Sequence, residues 1–344
     1  LNHAIMMGAA VVLFYTVFGG MWSVAFTDLF QTVIIVVGLI LVATLVGGNA
    51  GGFEKVVAQA AADGKFDMFP ADMDAAAWWA MAGAFFAFAF GSIPQQDVFQ
   101  RMTSAKDEKT AVRGTLIGGL MYFVIAFIPL YIAYAALIAH PELKALFESE
   151  DARAIQRILP DLVLGQMPMW AQILFFGALL SAILSTASGA LLAPTATFTE
   201  NVLKPFVPHM SDRQFLLLLR IILVTFCACA LLFALNSNST MYEMVQNAYN
   251  VTLTGAFVPL VAGAFWPRAN TQGALMSVVM GVGTWLVLSL LGTETLVPAN
   301  LLGLFASILG MVIGSLIPSL IPNQGHSMLS ALHRASMGGH SDKH

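Results

Sequence analysis

Ser181, Ser185 and Ser188 stand at i, i+4 and i+7 in LSAILSTASGALLAPTATFTEN, residues 180–201. At that spacing one side of a helix carries all three hydroxyls, with Thr186 beside them. In hydrocarbon a single hydroxyl bonds the carbonyl one turn back and signifies little. Four together, ahead of a kink-prone Pro194, offer hard oxygen ligands of the kind a desolvating alkali cation needs. Sodium coupling is the chemistry to test.

The elements that must hold this seam are membrane spans. Hydrophobic residues make up 58% of the chain and charged residues 10%, with a mean hydropathy of +0.80. About 20 helical residues cross the hydrocarbon core. Apolar runs of that length fall near 26–48, 77–100, 112–139, 168–198, 214–235, 243–266, 271–292 and 299–321, and a shorter run at 4–17 makes a ninth. None alternates with the period of two that a β-barrel demands. The expected class is an all-α, polytopic membrane protein with about eight to nine spans, and a polar tail over 322–344. Cys227 and Cys229, two apart in one span, face different sides of a helix and form neither a disulfide nor a metal clip. His340 and His344 in the tail read as solvated.

Charge distribution orients the spans. Arg101, Lys106, Lys109, Arg113, Lys204, Arg213, Arg220, Arg268, Arg334 and Lys343 are ten of the fifteen cationic residues, and all fall on one side. Lys55, Lys65, Lys144, Arg153 and Arg157 share the opposite loops with ten carboxylates. The positive-inside rule then places the C-terminus and the 101–113 loop in the cytoplasm, with 49–76 and 140–167 external. Within the second external loop, ALFESEDARAIQRIL reads as a surface helix. The setting expected is a plasma membrane, of the bacterial inner-membrane kind by composition. The chain opens at Leu1 inside an apolar run, which reads as a piece of a longer protein.

Three further stretches carry polar chemistry. In YTVFGGMWSVAFTDLFQ, residues 15–31, Gly19 and Gly20 permit a sharp turn or a close helix contact. Asp28 sits at a span mouth with no base within a turn. Two readings stand: Thr27 or Asp28 caps a helix start, or the acid also serves cation passage. In FGSIPQQDVFQRMTSA, residues 90–105, Pro94 frees a backbone carbonyl and Gln95 and Gln96 lie at membrane depth, as in broken helices that line cavities. Asp97 and Arg101, at i and i+4, pair. In residues 242–270, Gln246, Asn247, Asn250, Thr252 and Thr254 either glue helices or line a cavity. Phe85, Phe86, Phe88 and Phe90 pack or gate.

YTVFGGMWSVAFTD, IPQQDVFQR and AILSTASGALLAPTATFTEN, in that order, resemble the sodium:solute symporter family from residue 4 to about 321. The resemblance implies the leucine-transporter-like inverted-repeat helix bundle, with residues 1–321 as its symporter domain, and co-transported sodium. It implies sodium ligands at the Ser185 and Thr186 hydroxyls and the Ala182 carbonyl. Asp28 then matches an acid of the ion pathway, and Gln95, Gln96 and Gln246 match substrate contacts. The early helices of the family are missing from this stretch, so half of the sodium site lies beyond it, and the chain alone is expected not to transport. The framing of SIPQQDVFQR is similar to choline-type carriers. Gln95 stands where those place a tryptophan, which removes one wall of a cation–π cage. An amide there suits hydroxyl, carboxylate or amide groups.

The implied mechanism is alternating access, with a small organic solute and the lipid bilayer as partners and no nucleic acid. A proton-coupled carrier would use Asp28 as its titrating group, although Ser185 and Thr186 offer nothing to protonate. A sensory module of the same fold is the other rival. An intramembrane enzyme would need a motif such as HExxH or GxSxG, and neither occurs in the chain.

Overall fold

The computed structural model describes residues 2–67, 69, 73–144, 152–207, 210–237, 239–292 and 295–318. The tail over 322–344 and positions 145–151 of the expected surface helix lie outside these residues. Helix α1 runs Asn2–Asn49, α2 Phe53–Ala62, α3 Ala75–Phe90 and α4 Gln96–Thr103. Then come α5 Glu108–Ile125, α6 Phe127–Ala139, α7 Ala152–Gln166 and α8 Met169–Phe198. The chain continues with α9 Asp212–Asn236, α10 Met241–Thr252, α11 Val258–Phe265, α12 Thr271–Leu291 and α13 Ala299–Leu316. Among the described residues there is no strand.

Among the described residues, seven helical stretches are long and apolar enough to span: Ala25–Asn49, Glu108–Ala139, Met169–Phe206, Asp212–Asn236, Met241–Phe265, Thr271–Leu291 and Ala299–Leu316. Ile5–Phe18 and Ala75–Phe90 are shorter apolar helices. Large apolar side chains such as Leu116, Leu120 and Phe123 stand exposed on the spans, as contact with lipid tails requires. The expected span 77–100 divides, because α3 stops at Phe90 and α4 resumes at Gln96 beyond Pro94. Cys227 is buried, Cys229 is exposed, and both thiols are free.

At 48 residues, α1 would be about 72 Å long if straight, more than twice the hydrocarbon thickness. It is not straight. The hydroxyls of Tyr15 and Thr27 hydrogen-bond to each other, whereas twelve residues of straight helix would separate their α-carbons by about 18 Å, more than the two side chains can span. The backbone therefore bends sharply between Tyr15 and Thr27. One reading is corrected here: Asp28 lies inside the helical backbone and not at a helix start, so it caps nothing.

The chain forms two compact units, residues 1–68 with 96–240, and residues 69–95 with 241–344. In the first, Val42 and Val46 of α1, Val56 of α2, Ile132 and Ala135 of α6, Val163 of α7 and Phe175 of α8 make one apolar core. Helix α7 contains the described part of the expected surface helix, 152–159, where Ile158 is buried, and runs on to Leu162 and Val163, which join this core. Close approach of α1 to α8 depends on Gly38, where a Cβ would lie 2.8 Å from that of Ala178.

In the second unit, Leu253, Val258, Leu301, Leu304 and Met311 form the core, with Phe86, Phe90 and Phe257 against it. The phenylalanines of α3 thus pack. Small residues let α12 and α13 touch: Gly273, Ser277 and Gly281 face Gly303, Ser307, Gly310 and Gly314, and the Ser277 and Ser307 hydroxyls bond at 2.8 Å. This small-residue seam escapes a reading confined to span lengths. A π turn at Leu253–Phe257 precedes Pro259, and its buried Thr254 presses on Gly281 and Gly303.

Gly303→Ala would set a methyl 2.7 Å from the Thr254 methyl and 2.9 Å from the Gly281 carbonyl. The expected cost is about 1–3 kcal/mol, read as a lower apparent melting temperature in detergent. Gly263→Ala, whose Cβ meets nothing within 4 Å, is the control that should not move.

Outside the spans, Asp63 accepts bonds from the Tyr134 hydroxyl and from Gln59 Nε2 at 2.9 Å. Chiefly the Tyr134 bond, then Gln59, holds its carboxyl below the ordinary range. With the folded value depressed, this stabilisation is present above the unfolded pKa and is lost as pH falls through the folded one. Tyr134→Phe should therefore flatten the fall in melting temperature below about pH 4. An unchanged acid limb would show that the bond does not form in solution.

Candidate functional site

Within the first unit, α1, α4 and α8 bring their polar residues to one place. Ser185 Oγ donates to Asp28 Oδ1 at 2.6 Å, across 157 residues of sequence. Arg101 of α4 donates from Nη2 to Asp28 Oδ2 at 3.1 Å. Asp28 is thus a paired carboxylate, although no base lies within a turn of it in sequence. The expected Asp97–Arg101 pair also forms, at 3.6 Å, and Arg101 Nη1 donates to the Asp97 carbonyl at 3.3 Å. The Asp28 side chain is 21% exposed and that of Arg101 46%.

The hydroxyl seam holds as a face. Fully buried Ser188 donates to the Ser185 carbonyl at 3.0 Å, one turn along from the Ser185–Asp28 bond. Gly189 follows, and the Arg101 guanidinium rests against it; a Cβ there would lie 2.8 Å from Nη2. Ala182 is half-buried one turn before, and Thr186 is exposed. The structure therefore joins Ser185 to Asp28 and leaves the Thr186 hydroxyl on the surface of this unit. Helix α8 itself passes through Pro194 to Phe198 before a π turn at Thr199–Leu203.

The second unit holds the other polar cluster. Gln95, in the break after α3, donates from Nε2 to the Gly91 carbonyl at 3.4 Å and to Thr252 Oγ1 at 3.3 Å. Thr252 in turn donates to the same Gly91 carbonyl at 2.5 Å. A Cβ on Gly91 would collide with the Tyr249 carbonyl, so glycine permits this approach of α3 to α10. Asn300 Nδ2 donates to the Gly83 carbonyl at 2.9 Å and to Asn250 Oδ1 at 3.0 Å. Of the polar residues of α10 and the π turn, Asn250, Thr252 and Thr254 thus serve helix packing. Gln246 is half-buried one turn before Asn250, and Gln96 is the exposed first residue of α4.

Sequence reasoning did not foresee Arg101 at Asp28, Gly189 beneath the guanidinium, or Thr252 beside Gln95. Arg101 did carry a signal, as a cation one turn from Asp97 in a polar half-span.

Known proteins resemble this chain in sequence and in fold. The sodium:solute symporter family profile matches residues 1–281. The chain is 27% identical to the high-affinity choline transporter 1 of Caenorhabditis elegans, over 86% of this chain and 51% of that protein. It is 26% identical to the sodium/pantothenate symporter of Haemophilus influenzae, over 91% and 64%. An osmoregulated proline transporter of Bacillus subtilis is 27% identical, over 88% and 62%. A Na+-coupled sialic acid symporter, solved in a substrate-bound outward-open state, superposes with a TM-score of 0.73 at 20% identity, covering 92% of this chain and 67% of that one.

The fold is that of a multi-pass, all-helical symporter with the leucine-transporter-like architecture. The chain belongs to the sodium:solute symporter family, and the relatives named here are transporters. It spans between half and two thirds of the length of these curated relatives.

Proposed function

We propose that this chain is the larger part of a carrier that couples inward sodium movement to uptake of a small organic solute by alternating access. The hydrogen bond from Ser185 to Asp28 is the observation that carries the reading. It sets a carboxylate and a serine hydroxyl side by side at an apolar helix crossing, with a second hydroxyl, Ser188, one turn on. Sodium favours such hard oxygens, and giving up water for them costs least where one of them is charged. Ser185, Thr186 and the Ala182 carbonyl would provide this chain's share of the main site. Asp28 would serve the inner route of the ion or a second sodium. The curated relatives include named sodium symporters for pantothenate and proline, which supports sodium as the driving ion.

Gln95, Gln96 and Gln246 are the proposed solute contacts. The Gln95 amide nitrogen is committed to Gly91 and Thr252, so its oxygen is the atom left to accept from a solute N–H or O–H. Binding of sodium and of solute would each raise the affinity for the other by the same factor. The excess of Lys and Arg on one set of loops supports a cytoplasmic C-terminus.

The test is uptake by the intact carrier in proteoliposomes. Labelled amino acids, monocarboxylates, sugars and quaternary amines are offered under an inward sodium gradient, then under potassium or a proton gradient. Accumulation with sodium alone is expected, and accumulation driven by protons alone would overturn sodium coupling. Replacing both Ser185 and Thr186 by Ala removes two ligands, each worth about one hydrogen bond to a charge. The sodium concentration for half-maximal uptake should rise about tenfold or more, with the melting temperature little changed. An unaltered sodium dependence in that variant would exclude these hydroxyls as ligands.

A further inference from the structure

Asp28 has both carboxylate oxygens engaged, Oδ1 by the Ser185 hydroxyl and Oδ2 by the Arg101 guanidinium. A sodium ion approaching Asp28 and Ser185 therefore meets a cation already in place. Two further features concern how that cation is held. First, Arg101 has a second carboxylate within reach, since Asp97 on its own helix lies 3.6 Å from Nη1 while Asp28 lies 3.1 Å from Nη2. Leaving Asp28 would not leave the guanidinium unpaired. Second, Arg101 reaches Asp28 across Gly189, where a single methyl would stand 2.8 Å from Nη2. That glycine lies one turn beyond Ser185 on the same helix, so the hydroxyl seam is interrupted where the guanidinium rests.

We infer that Arg101 is a tethered cation that competes with sodium for Asp28, swinging to Asp97 when the ion binds and returning when it leaves. This rests on the reading of Asp28 and Ser185 as sodium-facing. The guanidinium would then keep Asp28 neutralised between ions, so the site is not left as a bare carboxylate among apolar helices. It would also lower the affinity of the site for sodium, which favours release of the ion. Because the head group is half-exposed, its hold on Asp28 is that of a partly screened pair, and displacing it is worth a factor of about two to five in sodium affinity.

Binding of 22Na+ to the purified intact carrier, together with the sodium dependence of uptake, provides the test. Arg101→Gln should tighten sodium binding about two- to fivefold. Removing a positive charge would do this through its field alone, so the decisive variant is Gly189→Ala, which alters no charge. Its methyl displaces the guanidinium from Asp28, and sodium binding should tighten in the same direction. In the double variant Gly189→Ala should add nothing, since no guanidinium remains to be moved. Weakened or unchanged binding in Gly189→Ala, or full additivity in the double variant, would overturn the role of Arg101. A wild-type protein that binds no 22Na+ would instead remove the sodium reading on which the inference stands. Melting temperatures separate either result from misfolding.

Discussion

A polar group inside hydrocarbon must find its partner within the protein, and that constraint governs every informative feature of this chain. Most hydroxyls meet it locally. Thr16, Thr32, Thr195, Thr197, Thr199 and Thr254 each donate to the carbonyl four residues back on their own helix. Such a bond needs no neighbour, and it is why a serine or threonine in a span is cheap. Ser185 does otherwise. Its proton goes to a carboxylate on another helix, leaving its lone pairs for a further ligand. Composition does not separate these two classes of hydroxyl, but the direction of the donated bond does.

The same constraint explains how the helices approach. With lipid on the outside there is no hydrophobic force between spans, and close packing has to supply the attraction. Helices α12 and α13 achieve it by removing side chains along the contact: Gly281 and Gly303 admit Thr254, while Ser277 and Ser307 satisfy each other. Asn300 closes the carbonyl of Gly83 and the amide oxygen of Asn250 in one step, tying α3, α10 and α13 within their unit. A polar side chain that serves two partners at once is glue of the economical kind, since a half-satisfied amide in a low-dielectric core would cost more than an apolar residue.

Much of this was legible in the sequence because hydropathy acts over twenty residues at a time. The expected run 168–198 became Met169–Phe198, and 271–292 became Thr271–Leu291. The family emerged from three short motifs, and the profile match over 1–281 bears it out. What sequence hid was long-range pairing. Asp28 has no base within a turn, and its partner lies 73 residues away. Local spacing is blind to such a contact, because it is made by the packing of α4 and α1 on α8 and not by periodicity. The capping reading of Asp28 failed for a related reason: a sharply bent helix can stay helical through its bend, so a span mouth need not be a helix start.

Gly189 shows how one residue joins packing to electrostatics. By position it belongs to the hydroxyl seam, one turn past Ser185, yet it has no side chain to offer an ion. What it offers is room, and Arg101 takes that room. A serine there would extend the oxygen track and exclude the guanidinium by the same steric contact. The glycine thus decides whether a fixed cation or another neutral oxygen stands beside Asp28. With two carboxylates, Asp28 and Asp97, sharing one guanidinium, the cluster keeps one negative charge uncompensated. A neutral cluster would repay a desolvating cation poorly, whereas one with two uncompensated charges would hold it too firmly to let it go. A single net charge lies between those limits, as the sodium role proposed for Asp28 would require.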